Sequence, residues 1–479
     1  MTTRMFIDGE WRDATSGATV EATSPATGES LGPVAEGDRA DARLAIAAAN
    51  AAFPSWGART GFERAELLHR AADVMEGRAD ELARMLTLDQ GKPLRAEAAV
   101  EVGELVEFFR MAAEDGKRVE GSIPQSAAPG RRVLLVRRPL GVLGLITPWN
   151  WPYTMPAEVL APALACGNTV VWTPAPSTAV CSGLLAECIA EADFPPGVFN
   201  FVLGPGPEVG DELAVSPGTH AVAFTGSTET GLIVSRQAAG KAQLLEMGGN
   251  GPLVVLKDAD LGAAAEAARV GSFLGAGQSC SAAERILVHE AVREEFVSLL
   301  VADVEREVRL GDPFDDATTM GPVNNEPGAA KMDAHVADAV DRGATVVAGG
   351  SRAGGFPTEL YWEPTILNDV PRDSIAVTQE TFGPIAPIVG IGSLEEAIQQ
   401  TNSQTYGLMA AIFTTDLAAG LRFADAVPMG LVNINETTNY WEPHLPWGGR
   451  ARSQSGIGRV GGRYPMDTLT ELQTVLIHT

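Results

Sequence analysis

The sequence predicts an α/β fold in which a doubly wound parallel sheet is followed by a second α/β block. Three observations carry that prediction. From Gly141 onward, apolar runs of strand length alternate with helical patterns: Val142 to Thr147, Tyr153 to Ala165, Thr169 to Trp172, Ala179 to Ala192, Val198 to Leu203, Ala221 to Phe224, and Glu229 to Ala239. Such alternation lays strands parallel with helices as crossovers. After Glu246 it restarts with Leu253 to Leu256, Leu261 to Leu274, Ile286 to Val288 and Val292 to Val308, and it continues to about Val432. The chain of 479 residues is long enough for two or three cores.

The remaining elements follow in order. Phe6-Ile7-Asp8-Gly9-Glu10-Trp11 alternates around an Asp-Gly turn, which predicts a small hairpin. Four helical patterns run from Asp38 to about Ala113, with breaks expected at Pro54, near Gly77 and at Gly91-Lys92-Pro93. A Gly/Pro/Ser-rich connector from Gly121 to Gly130 leads into a strand at Arg132 to Arg138. Near the end, Leu469 to Ile477 alternates like an edge strand, and an edge of that kind needs a partner.

Composition excludes several function classes. Hydrophobic residues make up 45% and charged residues 20%, as in an ordinary globular protein. The net charge of −26, from 61 acidic and 35 basic residues, repels nucleic acid and anionic membranes, so neither is an expected partner. The first residues lack a signal-peptide core, and no later stretch is long and apolar enough to span a bilayer, which predicts a cytoplasmic protein. Cys166, Cys181, Cys188 and Cys280 have no metal-ligand spacing, so no metal is expected. Cys181 and Cys188 lie seven apart on an expected helix and read as packing residues.

Chemistry concentrates in a few stretches. Gly275-Ala276-Gly277-Gln278-Ser279-Cys280-Ser281-Ala282 sets one thiol among small residues, where backbone amides can approach a substrate. Asn150 lies in Pro148-Trp149-Asn150-Trp151-Pro152, Glu246 in Leu245-Glu246-Met247-Gly248-Gly249-Asn250, and Glu380 in Gln379-Glu380-Thr381-Phe382-Gly383-Pro384. A thiol, an amide donor and a carboxylate are the parts needed to attack a carbonyl, hold its oxyanion and activate water. Phe224-Thr225-Gly226-Ser227 ends a strand and opens a helix. Its free amides could face a pyrophosphate, or Ser227 could simply cap the helix. Gly204-Pro205-Gly206-Pro207-Glu208-Val209-Gly210 only approximates a dinucleotide fingerprint.

Together with Pro446-Trp447-Gly448-Gly449, these motifs make the chain resemble the NAD(P)-dependent aldehyde dehydrogenase superfamily from about Phe6 to Leu476. The resemblance implies a Rossmann-type dinucleotide-binding domain at 1–118 and 139–249 and a catalytic domain at 250–432. A small β oligomerisation arm is implied at 119–138 and 456–479, with the site in the cleft between the domains. It implies oxidation of an aldehyde to the acid, with Cys280 as nucleophile, Asn150 and the Cys280 N–H as oxyanion donors, and Glu246 as general base. Cofactor contacts are implied at Thr147, Trp149, Thr173, Gly206, Gly226, Ser227, Glu380 and Phe382, and the assembly would be a homodimer or homotetramer. Glu246 argues against a relative that passes its thioester to coenzyme A, and the intact set argues against a non-catalytic protein that only keeps the fold.

Two departures from the family pattern stand out. After Val170-Val171-Trp172 relatives commonly carry a lysine and, three positions on, a glutamate that bind the adenosine ribose; here these are Thr173 and Pro176, which leaves NAD or NADP open. Arg450 to Gln454 gives five residues where three are usual. For the substrate pocket, Trp151, Thr154, Met155, Glu158, Trp441 and Trp447 match lining positions and suit an apolar or aromatic aldehyde. Glu158 would also suit an ammonium-bearing aldehyde, whereas His444, Arg450 and Arg452 would suit an anionic semialdehyde.

Overall fold

The computed structural model describes residues 2–478. Two large sheets divide the strands. In the first, spatial order runs Gly456–Ile457, Ala242–Glu246, Ala221–Thr225, Val142–Ile146, Thr169–Thr173, Phe199–Phe201, Met5–Ile7, Glu10–Arg12. Its five central strands are parallel, and in chain order they lie 5-4-1-2-3. Successive connections therefore leave Val142–Ile146 in opposite directions, and a crevice opens beyond the carboxyl ends where the order reverses. The strands there are buried on both faces, which is why they read as continuous apolar runs.

The second sheet is ordered Thr345–Ala348, Thr365–Asn368, Ile385–Ile391, Ala283–His289, Gly251–Val255, Met409–Phe413, Leu431–Ile434, parallel except at its Thr345–Ala348 edge. Apart from these, Arg131–Pro139 pairs antiparallel with Thr470–His478 over nine residue pairs. Leu472, Leu476 and Ile477 are left exposed on that ribbon.

Several local expectations hold, and others need correction. Asp8 and Gly9 both take positive φ (55° and 81°), as a two-residue hairpin turn requires. Pro54 does not break its helix, which runs Arg39–Gly57. The proline lies exposed in the last turn, where one backbone bond is lost, and fully buried Trp56 anchors that turn. Gly456–Ile457, placed by sequence in the arm, pairs instead with Ala242–Glu246 in the first sheet. A hairpin of Thr19–Thr23 with Ser30–Ala35 has no counterpart in the sequence reading. No helix among the described residues is long and apolar enough to cross a membrane.

Candidate active site

The carboxyl ends of the first sheet face the amino ends of strands in the second. Glu246 is the last residue of its strand, and Asn150 follows the Val142–Ile146 strand by four positions. Cys280 sits on the turn before Ala283–His289, and Glu380 precedes Ile385–Ile391. Gly275, Ala276 and Gly277 all have positive φ, a left-handed run that shapes the turn carrying the thiol. At Gly277 a Cβ would collide with the Gly383 carbonyl, so only glycine lets these two loops meet.

Two cavities meet at this turn. The larger, about 540 Å³, is lined by all eight expected cofactor residues, namely Thr147, Trp149, Thr173, Gly206, Gly226, Ser227, Glu380 and Phe382, and by Asn150, Glu246 and Cys280. The smaller, about 150 Å³, is lined by Trp151, Thr154, Met155, Trp441 and Trp447, again with Cys280. Cys280 and Met155 alone belong to both walls. The thiol is half-buried, its free surface turned into the two chambers.

Electrostatics around the sulfur are dominated by buried acid. The Glu246 carboxyl, 3% exposed, faces the Cys280 thiol closely enough for each to act on the other's charge. Burial pushes Glu246 up to about 8; the Cys280 thiol works against this and the Glu380 charge with it. Burial likewise pushes the Cys280 thiol well above its ordinary value, with Glu246, Glu380 and Glu158 adding repulsion to the thiolate. Asn150 donates its side-chain amide to the Gln278 carbonyl at 3.0 Å, which holds that amide against the cysteine turn and leaves its second N–H free to serve an oxyanion.

On the cofactor side, Glu380 Oε1 accepts the Gly249 N–H at 2.8 Å, and burial raises this carboxyl to about 7. Trp149 and Phe382 meet edge to face, centroids 5.6 Å apart, on the cavity wall. Ser227 both lines the cavity and caps the Thr228–Gln237 helix, accepting the Thr230 N–H, so both readings of that motif coexist. Thr173 and Pro176 line the cavity as well, and neither brings charge.

The sequence reading missed three groups. Glu284, buried in its strand and raised by burial to about 8, takes the N–H groups of Thr381 and Phe382 at 2.8 Å each and so fixes the Glu380 loop. A charge inside an apolar strand was the available signal. Among the described residues, Lys331 is the one cation lining the larger cavity; nothing in its helix marks it. Glu104 lines the smaller cavity, from the Ala99–Gly116 helix. Glu97, Glu101 and Glu104 recur at helical spacing beside buried Val102, Leu105 and Phe108, a row of acids on an apolar face.

Glu158 requires correction. It is fully buried and lines neither cavity, because it lies four residues beyond Thr154, about 6 Å deeper along the axis. Both its oxygens lack a hydrogen bond, although the Trp447 indole faces them. His444, Arg450 and Arg452 also line neither cavity; His444 pairs with Glu442 at 3.6 Å, and the Arg450–Gln454 loop hydrogen-bonds to Thr405 and Gly407.

A model of the aldehyde dehydrogenase family matches residues 11–475. The chain belongs to that family. Among its relatives, the NADP-dependent succinate-semialdehyde dehydrogenase of Escherichia coli K12 is 39% identical over 477 residues, covering 98% of this chain and 97% of the relative. The glutarate-semialdehyde dehydrogenase of Pseudomonas aeruginosa is 39% identical over 472 residues, with 98% and 96% covered. A crystal structure of Staphylococcus aureus betaine aldehyde dehydrogenase in complex with NAD+ superposes with a TM-score of 0.96 at 34% identity, covering 100% of this chain and 95% of that one. The fold is therefore that of an aldehyde dehydrogenase, and the enzyme oxidises an aldehyde with NAD or NADP as acceptor.

Proposed function

We propose that Cys280, Glu246 and Asn150 carry this oxidation through a covalent thioester, and that the substrate is a small aldehyde with a charged group at its far end. The observation that supports the first part is the meeting of two chambers at one sulfur, with Glu246 and Asn150 lining the same cavity wall as Cys280. In this mechanism Cys280 Sγ attacks the carbonyl carbon while its proton passes to Glu246. The Asn150 amide and the Cys280 backbone N–H hold the developing oxyanion, each such donor being worth about 3 kcal/mol of barrier. A dinucleotide in the larger cavity would supply the acceptor for the hydride that this carbon loses, leaving the Cys280 thioester. Once Glu246 has released the thiol proton to solvent, it takes a proton from the water that attacks the Cys280 thioester; the carbon–sulfur bond breaks, Cys280 leaves as thiolate and the acid departs.

A dinucleotide fits the residues present. Glu380 keeps one oxygen on Gly249 and offers the other to ribose hydroxyls, Gly206 and Gly226 allow close approach, and Lys331 supplies a cation for phosphate. With neither acid nor base at Thr173 and Pro176, either NAD or NADP would be accepted; tight binding of only one would overturn that reading. The charged far end is supported by the relatives, whose names give succinate semialdehyde, glutarate semialdehyde and betaine aldehyde. It is supported too by Glu104, which makes the small chamber less apolar than its tryptophans alone suggest.

The proposal extends to organisation. Residues 1–118 with 139–249 would bind the dinucleotide, 250–432 would complete the catalytic cleft, and the Arg131–Pro139 and Thr470–His478 ribbon would join subunits into a cytoplasmic homodimer or homotetramer. Adding short aldehydes with NAD+ or NADP+ and following reduced nicotinamide by absorbance tests the reaction. Undiminished turnover in C280A would refute the assigned chemistry.

A further inference from the structure

The far wall of the substrate chamber tells which charge it accepts. Glu104 reaches the cavity from the Ala99–Gly116 helix and is held there by the Thr154 hydroxyl, which donates to Oε2 at 2.8 Å. Around it stand the faces and edges of Trp151, Tyr440, Trp441 and Trp447. Trp441 stacks on Phe108 with centroids 5.9 Å apart and lies 5.9 Å from Trp447, so these rings are fixed rather than free to fold away. Among the described residues, no lysine, arginine or histidine lines the chamber. Lys92 is near, but it lies buried, pairs with Glu101 and sits over the Trp151 ring, so its charge is already engaged.

Each feature acts in the same direction. A carboxylate beside aromatic faces attracts a cation through charge and through the ring quadrupoles. The same wall repels a substrate carboxylate, which would find no donor of positive charge and would bring like charges together in a site shielded from water. Burial already raises Glu104 to about 7, a strain that a bound cation relieves and a bound anion worsens.

Building on the thioester mechanism above, we infer that this chamber selects an aldehyde whose far end carries an ammonium group, with Glu104 as the specificity-determining residue. The chamber volume of about 150 Å³ limits the substrate to a short chain between the aldehyde carbon and the nitrogen.

Three aldehydes of nearly equal length separate the possibilities: 3-aminopropanal, its neutral isostere butanal, and succinic semialdehyde. With the full-length enzyme and NAD+ or NADP+, kcat/KM for 3-aminopropanal should exceed both others by about tenfold or more, as expected for a buried charge contact. In E104Q the ratio of kcat/KM for 3-aminopropanal over butanal should fall by about tenfold. Preference for butanal or for succinic semialdehyde by the unaltered enzyme overturns the inference while leaving the thioester mechanism standing. So does an E104Q enzyme that keeps the original ratio. Absence of turnover with all three, and with a broad aldehyde panel, would instead count against the proposed function itself. The ranking in the unaltered enzyme decides the matter even if E104Q fails to fold.

Discussion

Replacing Glu246 with glutamine keeps the shape of the side chain and removes its ability to take a proton. General-base assistance is worth about a hundred- to ten-thousandfold in rate, or about 3 to 5.5 kcal/mol at about 1.4 kcal/mol per tenfold. The loss should fall on hydrolysis of the thioester more than on its formation. Thiol attack loses its proton acceptor too, but it can proceed from sulfur ionised through solvent, a far stronger nucleophile than water, which cannot attack at a useful rate without a base. Rapid mixing of E246Q with NAD+ and aldehyde should then show a burst of reduced nicotinamide approaching one per active site, followed by a steady rate depressed within that range. In the unaltered enzyme Glu246 stands at about 8, so hydrolysis-limited kcat should climb with pH and level off above that value, since the base works only when ionised. Once the thioester forms, the Cys280 thiol is gone, which removes an influence that lowered Glu246, so the inflection shifts upward. E246Q should lose the rising limb. A steady rate in E246Q within a few-fold of the unaltered enzyme would refute the assignment of Glu246 as base, and so would an unaltered kcat that stays flat between about pH 6 and about pH 9.

Other perturbations read different parts of the structure. At Gly248 a Cβ would lie 2.7 and 2.8 Å from the two Glu380 oxygens, so G248A should displace that carboxylate and raise the cofactor Kd by about ten- to a hundredfold, the worth of one charged hydrogen bond; titration of protein fluorescence with NAD+ checks this. Lys92 and Glu101 pair at 2.5 Å deep in the fold, and K92M should cost about 3 to 5 kcal/mol by stranding the carboxylate, with part recovered in K92M/E101Q, measured by chemical denaturation. Burial raises Asp89, Glu97, Glu104 and Glu380 to about 7 and Glu246 and Glu284 to about 8. These acids bind protons more tightly folded than unfolded, so thermal midpoints should fall as pH rises from about 5 to about 8, opposed only partly by His335, whose burial lowers it to about 4. A midpoint that rises across that window would contradict the burial of these groups.

The fold was legible wherever burial imposes a pattern. Strands such as Val142–Ile146 and Gly251–Val255 are buried throughout, so they appear as unbroken apolar runs between helical periods. Thr19–Thr23 is exposed at four of its five positions, which erases the alternation that would mark it. On the cofactor side, each expected residue sits within a few residues of a strand end, and the motifs together with the family resemblance pointed to eight residues that line one cavity. The substrate chamber is assembled from five distant segments, and only those beside a motif were singled out. Glu104 was hidden because its helix reads as a packing element, and Glu158 was misplaced because nearness to a motif in sequence does not say how deep along a helix a side chain falls.

The concentration of acids explains a feature of the resting thiol. A nucleophilic cysteine usually has its thiolate stabilised by nearby positive charge. Here burial and three carboxylates hold the proton on sulfur instead. Protonated sulfur resists oxidation and stray alkylation, since the thiolate is the reactive form. A cation in either chamber would act against that repulsion, because both chambers open onto the sulfur. Positive charge entering from the Glu380 side or from the Glu104 side therefore shifts the Cys280 balance towards the thiolate by screening its repulsion. Reactivity is in this way tied to occupancy through the electrostatics of the site alone, with no movement of the fold required.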